Sequence, residues 1–265
     1  MTTKAEQFRR LHTPTLVLPN AWDAASARLI EQAGAQAIAT GSAAVSWAYG
    51  VRDGKLSRED AIRAVQRITR VVDVPVTADI ESGYDDLGAT VKAIVEAGAV
   101  GINLEDSPGV SGEPLVVPEV YAQRIRTARE AAASVGGDVV INARTDVFLN
   151  EVGAPETRLD HAVERGNYYR AAGADCIFVP GVTDLGIIEQ LVRRINAPIN
   201  ILIRVNGPSI PELKRIGVAR VSAGPRIAEA AYGAALEAAR EILEQGTYTS
   251  LQRALRFNDI ESLFS

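Results

Sequence analysis

The sequence predicts an α/β fold in which eight parallel strands alternate with helices and close into a (β/α)8 TIM barrel. Three observations predict it. A phrase made of a helix end, a glycine and a short apolar run recurs at Glu31–Thr40, Val95–Glu105, Arg170–Val179 and Arg215–Ser222. The apolar runs do not alternate in polarity, as expected of strands buried on both faces. The chain has 265 residues with no low-complexity segment or linker, a normal length for one such barrel.

The elements follow in order. Strands are expected at Thr15–Leu18, Gln36–Thr40, Pro75–Asp79, Val100–Leu104, Val139–Ala143, Asp175–Val179, Ile199–Ile203 and Ala219–Ser222. Gly34, Gly98, Gly173 and Gly217 suit the residue after a helix, where the backbone turns left-handed and a Cβ is costly. Between the strands lie stretches of helical period, such as Leu87, Val91, Ile94 and Val95. Ser57 suits an N-cap, with Glu59 and Asp60 in the first turn favoured by the helix dipole. Pro118 suits a first helical position. Strict alternation points to a parallel sheet, and eight repeats point to closure. The alternative is an open doubly wound sheet, but no G-x-G-x-x-G follows the first strand. The expectation is a single domain over residues 1–265. Residues 248–265 form a C-terminal helical tail whose apolar side chains, Leu251 to Phe264, need a surface to pack on.

Composition narrows the function. Acids exceed bases by 33 to 28, for a net charge of −5. That sign repels phosphates, so neither nucleic acid nor an anionic membrane is an expected partner. A small anionic substrate stays compatible, because a local field can oppose the net charge. The single cysteine, Cys176, excludes an intramolecular disulfide and a CxxC metal site. No apolar run reaches the roughly 20 residues of a membrane span, and the N-terminus lacks an apolar signal core. A cytoplasmic location is expected.

In parallel barrels the active site forms where strands end and βα loops begin. The third and fourth strands end in Asp79, Glu81 and Glu105, which would converge. Packed carboxylates repel unless a cation or protons compensate. Oxygen ligands without nearby Cys or His point to Mg2+, with Mn2+ as the alternative, and away from zinc. Arg144, on the fifth strand, has the planar fork to clamp a substrate carboxylate. The Gly41-Ser42-Ala43 turn can offer backbone N–H groups to an oxyanion. Single acids at strand ends often cap helices, and Asp106 and Asp146 are read that way or as residues that orient neighbours. Cys176 reads as a small core residue, and His12 and His161 as surface residues. Trp22 and Trp47 line either the pocket or an interface. Ser222-Ala-Gly224 reads as a plain turn in preference to a phosphate cradle.

These residues bring a family into view. The pieces are Pro19-Asn-Ala-Trp-Asp-Ala-Ala-Ser-Ala-Arg-Leu-Ile30, Gly50-Val-Arg-Asp53, Asp79-Ile-Glu-Ser-Gly-Tyr84, Leu104-Glu-Asp106, Ala143-Arg-Thr-Asp146 and Ala172-Gly-Ala-Asp175. In this order they make the chain resemble the isocitrate lyase / phosphoenolpyruvate mutase superfamily over almost its whole length. The resemblance implies Mg2+, an α-oxycarboxylate substrate and an enolpyruvate-type oxyanion next to the bond that breaks or forms. It implies a metal site of Asp79, Glu81, Glu105 and Asp53, with Asp79 the direct ligand and the others acting through water. Catalytic roles fall to Arg144, Asp53 and Glu81. The substrate-binding set is Gly41, Ser42, Ala43, Trp22, Arg144 and Asn206. A homotetramer with C-terminal helices swapped between subunits is also implied, which would give the apolar tail its place.

The departures direct the functional reading. The family's isocitrate-type lyases carry Lys-x-Cys-Gly-His after the fourth strand, where this chain reads Glu105-Asp-Ser-Pro-Gly-Val-Ser-Gly-Glu-Pro-Leu115. The thiol acid is missing, and so are the Lys and Asn of the mutases. Glu81 stands where most members have Asp, and Pro180 where mutases have His. The expectation is an enzyme, a Mg2+-dependent C–C bond lyase or decarboxylase acting on a small 2-oxo or 2-hydroxy acid through an enolate. Loss of CO2 does not need the thiol. The alternatives are P–C bond chemistry on a phosphonate such as phosphonopyruvate, and a non-catalytic relative that binds an oxyacid.

Overall fold

A computed structural model of the chain describes residues 3–107 and 114–264. The strands are β1 (Leu16–Leu18), β2 (Asn20–Ala21), β3 (Ile38–Thr40), β4 (Val76–Asp79), β5 (Gly101–Glu105), β6 (Val140–Arg144), β7 (Cys176–Val179), β8 (Ile199–Leu202) and β9 (Arg220–Ser222). The helices are α1 (Lys4–Arg10), α2 (Ala24–Gln32), α3 (Ser42–Ala48), α4 (Arg58–Thr69), α5 (Leu87–Glu96), α6 (Pro118–Ser134), α7 (Arg158–Ala171), α8 (Leu185–Arg194), α9 (Ile210–Arg215), α10 (Arg226–Arg240) and α11 (Phe257–Glu261). All strand pairs are parallel, in the order β1-β9-β8-β7-β6-β5-β4-β3-β2. This is the TIM barrel expected from the alternation of elements, with one correction.

The correction concerns the first strand, which is two pieces instead of one. Leu16–Leu18 pairs with β9, and Asn20–Ala21 pairs with β3. Pro19 sits between them and has no N–H to give either ladder. Asn20 spans the seam. Its Nδ2 donates to the Thr40 carbonyl at 2.9 Å, on the β3 side. Its Oδ1 accepts from the N–H groups of Ala223 at 3.0 Å and Gly224 at 2.8 Å, beyond β9. The Ser222-Ala-Gly224 turn is therefore part of the closure, with two of its N–H groups committed to Asn20.

Helix ends follow their local chemistry. Gly34, Gly98, Gly173 and Gly217 have φ of 96°, 96°, 107° and 89°, the left-handed stop that glycine takes without a Cβ clash. Ser57 caps α4 by accepting from the Asp60 N–H. Pro118 opens α6.

Each strand sends alternate side chains outward and inward. Ile102, Leu104, Ile141, Ile177, Ile199, Ile201 and Val221 enter the apolar layer under the helices. Inside, α1 closes the bottom with fully buried Phe8, which packs with Leu16, Leu18 and Val140. Gly101 makes room for it, since a Cβ there would stand 2.8 Å from the Phe8 ring. Above lies a polar layer of Thr77, Asn103, Asn142, Asn200 and Arg220, all buried. The residues at the strand ends crown this layer.

His12 is not the surface residue expected; it is 8% exposed beneath the barrel. It follows α1, and the docking of Phe8 pulls it in. Its ring meets Phe8 edge-on at 5.3 Å, and Nδ1 hydrogen-bonds the Phe8 carbonyl at 3.0 Å. Nε2 is buried without a partner among the described residues. Burial first, and then the charge of Arg220, lower its pKa from 6.5 to about 4. A depressed histidine contributes stability above its unfolded pKa and loses it as pH falls toward the folded value. Between about pH 7.5 and about pH 4.5 this one group should remove on the order of 2 kcal/mol. Urea unfolding of wild type and His12→Leu at both pH values should show the variant losing less by that amount. Equal losses would mean His12 does not titrate on unfolding.

Candidate active site at the strand ends

Two adjoining cavities open at the C-terminal ends of the strands. The smaller, about 160 Å3, is lined by Asn20, Gly41, Ser42, Ala43, Asp53, Asp79, Asn103 and Arg144, with walls that include Leu149, Phe178, Pro180 and Leu202. The wider, about 500 Å3, is lined by Asp53, Lys55, Glu81, Tyr84, Glu105 and Ser107, among others, and shares Ser42, Asp53 and Arg144 with the first. The expected acids, the arginine and the Gly41-Ser42-Ala43 turn therefore come together.

Local structure explains how. Asp79 ends β4, and its N–H donates to Thr40 Oγ1 at 2.9 Å on the neighbouring β3. Its Oδ2 accepts from the Ser42 N–H at 3.2 Å, and its Oδ1 from the Glu81 N–H at 3.3 Å. The Ser42 N–H thus already serves Asp79. The turn after β4 is strained. Glu81 and Tyr84 stand at φ of 52° and 58°, a left-handed region that side chains other than glycine rarely adopt. Strain of this kind, about 1–3 kcal/mol per residue, collects at functional sites. The turn is held from the next strand, where the Glu105 N–H donates to the Glu81 carbonyl at 3.0 Å.

Arg144 ends β6 and is gripped from two sides. Its Nε and Nη2 donate to the two oxygens of Asp146 at 2.6 and 3.0 Å, a bidentate pair. Its Nη1 meets Glu105 Oε2 at 3.0 Å. Its guanidinium carbon lies 5.9 Å from the centre of the Phe178 ring. Burial works against its charge, but Glu105 and Asp146 outweigh burial and hold it protonated.

Behind this pair lies a buried support. Asp106 Oδ1 accepts from the Asp146 N–H at 3.0 Å. Asp106 Oδ2 accepts from Arg165 Nη1 at 3.0 Å and from the Tyr169 hydroxyl at 2.7 Å. Arg165 Nε reaches His161 Nε2 at 2.9 Å, one turn away on α7, so half-buried His161 joins this network. Asp106 and Asp146 orient neighbours, as the sequence suggests.

Asp79, Glu81 and Glu105 are pushed toward protonation, chiefly by removal from water. Glu105 is raised to about 8, with Arg144 opposing and Asp146 adding to the rise. Glu81 is raised to about 7, with Asp79 and Asp53 adding to the effect of burial. Asp79 is raised as well, against the pull of Arg144. Among the lining residues Arg144 and Lys55 are the cations facing Asp53, Asp79, Glu81 and Glu105. Charge remains uncompensated. Glu81 Oε1 is buried with no partner among the described residues. The donor set is oxygen only, which fits a hard divalent cation. Among the described residues, no three metal-ligating side chains close into a ready cage.

Two expected residues lie elsewhere. Trp22 lines a separate cavity with Tyr49 and Phe264, and its ring packs 6.3 Å from Tyr232. It precedes Asp23, the N-cap of α2, and the chain there is already turning outward. Asn206 is exposed in a turn after β8 and lines neither cavity. Residues missed from the sequence include Asn20, Asn103, Lys55 and Phe178. Asn103 had a signal, since it lies two residues before Glu105 and so shares its inward face. The Cys-free loop expected to flank the site falls largely on residues 108–113, outside the described residues.

Residues 8–243 match the family model of phosphoenolpyruvate phosphomutase. The chain belongs to that family. A Mycobacterium tuberculosis protein of uncharacterized function is 36% identical over 85% of this chain and 84% of its own. The 2-methylisocitrate lyase of Escherichia coli K12 is 32% identical over 65% of this chain and 60% of its own length. The crystal structure of 2,3-dimethylmalate lyase, a PEP mutase/isocitrate lyase superfamily member, superposes with a TM-score of 0.87 at 27% identity. It covers 100% of this chain and 95% of that one. The named relatives are carbon–carbon lyases, and this phosphomutase-family chain is an enzyme of the same kind.

The buried Arg165–Asp106 pair is the part of this site that stability can test. Removing one partner of such a pair costs about 3–5 kcal/mol, because the other charge stays buried. Arg165→Met should lower urea stability by that much. A loss under about 1 kcal/mol would show that Tyr169 and the Asp146 N–H suffice for Asp106.

Proposed function

We propose that the enzyme is a Mg2+-dependent C–C bond lyase or decarboxylase acting on a small 2-oxo or 2-hydroxy acid through an enolate. The observation that carries the reading is the meeting of Asp53, Asp79, Glu81 and Glu105 with Arg144 along two adjoining cavities, with a buried Glu81 oxygen left without a partner among the described residues. Asp79 would hold the ion directly, with Glu81, Glu105 and Asp53 acting through its water. When bound, Mg2+, or Mn2+ in its place, supplies positive charge opposite the oxygens of an α-oxycarboxylate.

The chain's own residues do the rest. Arg144 binds the carboxylate or the developing oxyanion, and its fork is aimed in advance by Asp146 and Glu105. Such pre-aimed donors are worth most where water is excluded. Phe178, Leu149, Leu202 and Pro180 form the dry wall. The turn Gly41-Ser42-Ala43 closes the opposite side. A recess of about 160 Å3 suits an acid of a few carbons. Once the C–C bond breaks and its electron pair stays as the enolate, water or a hydroxyl of the wider cavity, where Tyr84 and Ser107 stand, donates a proton to that carbon.

The enzyme is read as a cytoplasmic homotetramer. Among the described residues, no helix is long and apolar enough to cross a membrane. Leu236, Leu243, Leu251, Leu255 and Phe257 are exposed along α10 and the tail, which favours a swapped C-terminal segment as their cover. Within the chain the tail's end is anchored. Leu263 is buried, and Arg28 Nε donates to its carbonyl at 2.6 Å.

Two measurements test the chemistry. Pyruvate methyl protons should exchange with D2O by NMR when protein and Mg2+ are both present; exchange no faster than with Mg2+ alone would sink the enolate. A panel of oxaloacetate, 2-methylisocitrate, dimethylmalate and phosphonopyruvate should show turnover of a carbon acid and not of the phosphonate. Separately, Asp79→Ala should abolish tight Mn2+ binding by EPR. Unchanged Mn2+ affinity in that variant would remove Asp79 as the ligand.

A further inference from the structure

The polar layer under the recess contains a group that none of the roles above uses. Asn103 is 6% exposed and lies on β5 opposite Asp79 of β4 and Asn142 of β6. It lines the smaller cavity with Asp79 and Arg144. Its Oδ1 accepts twice from within the barrel, from Arg220 Nη2 at 3.1 Å and from Asn142 Nδ2 at 2.8 Å. A guanidinium has donors only, so the end of the amide facing Arg220 must be the oxygen. That fixes the orientation. The Nδ2 group is left as the end toward the cavity, with no hydrogen-bond partner among the described residues.

Arg220 is fully buried and lies 5.7 Å from the centre of the Phe8 ring. Its Nε and Nη1 have no hydrogen-bond partner among the described residues, so its guanidinium is directed by the Nη2 bond to Asn103. A cation in the layer below also offsets the carboxylates above.

We propose that Asn103 is a substrate-binding residue whose amide N–H donates to an oxygen of the small oxyacid at the floor of the recess, and that Arg220 and Asn142 position it. The inference rests on the lyase reading and adds a donor to it from beneath. Such a donor would help select an acid with an oxygen at that end, because an oxygen-free analogue would leave a buried N–H unpaired.

The test uses oxalate with Mn2+, with Mn2+ affinity measured first and oxalate affinity measured at saturating Mn2+ by calorimetry. Asn103→Ala should weaken oxalate about tenfold, the loss expected of one hydrogen bond to a charged oxygen, and leave Mn2+ affinity within about twofold. Asn103→Asp keeps the acceptor for Arg220, so it preserves the layer should the alanine variant fail to fold. It replaces the donor by an oxygen and should weaken oxalate further. Asn142→Ala should cost oxalate about threefold in the wild-type background and nothing in the Asn103→Ala background, since it acts through Asn103. Oxalate affinity within twofold of wild type in Asn103→Ala, or a parallel loss of Mn2+ affinity, overturns the assignment while the lyase reading stands. A wild-type enzyme that takes up Mn2+ but no oxalate overturns the lyase reading and this inference together.

Discussion

The site depends on one interaction, the largely buried Arg144 guanidinium held between Asp146 and Glu105. In bulk water such an ion pair is worth little. Here burial, helped by neighbouring carboxylates, lifts Glu105 and Asp79 toward protonation, and the arginine resists it. The arginine cannot be deprotonated, so the recess always carries one fixed positive charge. The acids then divide by partner. Asp146 spends both oxygens on Arg144, and Asp106 is spent on Arg165 and Tyr169. Glu81 has an oxygen left over. A cluster with that imbalance is stable only when protons or a cation complete it.

Barrel closure and site geometry are the same problem in this chain. The first strand is cut at Pro19, and Asn20 joins the two edges with three hydrogen bonds. Asn20 also lines the smaller cavity, next to Gly41 and Gly224. The residue that finishes the sheet therefore also forms the wall of the recess. Arg220 plays the same double part from below, since it fills the barrel interior and orients Asn103. Polar side chains in the interior cost stability when unpaired. Several, among them Thr77 Oγ1, Asn200 Nδ2 and two Arg220 nitrogens, have no partner among the described residues, and they lie under the charged crown.

What was legible in the sequence follows from the range of the forces involved. The recurring Gly-punctuated phrase reports local backbone chemistry, so strand positions and helix stops read correctly to within a residue or two. Asp79, Glu105 and Arg144 come together as the sequence predicts, because strand ends in a barrel converge by topology alone. Trp22 and Asn206 do not, because a position just after a strand can face the axis or turn outward, and Asp23 capping α2 decides it for Trp22. Nothing local in the sequence marks His12 as buried. Its burial comes from Phe8 docking beneath strands more than a hundred residues away, such as β6 with Val140. The split of the first strand is of the same kind, since Pro19 signals a break but only β3 and β9 together give the break its use.

The inner layers also explain why one end of the barrel is suited to chemistry and the other is not. At the bottom, Phe8, Leu16 and Val140 fill the axis, and Gly101 shows how closely they pack. In the middle, amides and one guanidinium make bonds whose direction is fixed by donors that cannot reverse. At the top the same inward positions carry acids and Arg144. Each layer is thus aimed by the one beneath it, from apolar contact through directed hydrogen bonds to charge. Orientation of this kind matters because a side chain placed about 1 Å wrong can cost a hundredfold in rate. A site built only from the loops above the strands would have no such floor, and its amide donors would be free to flip.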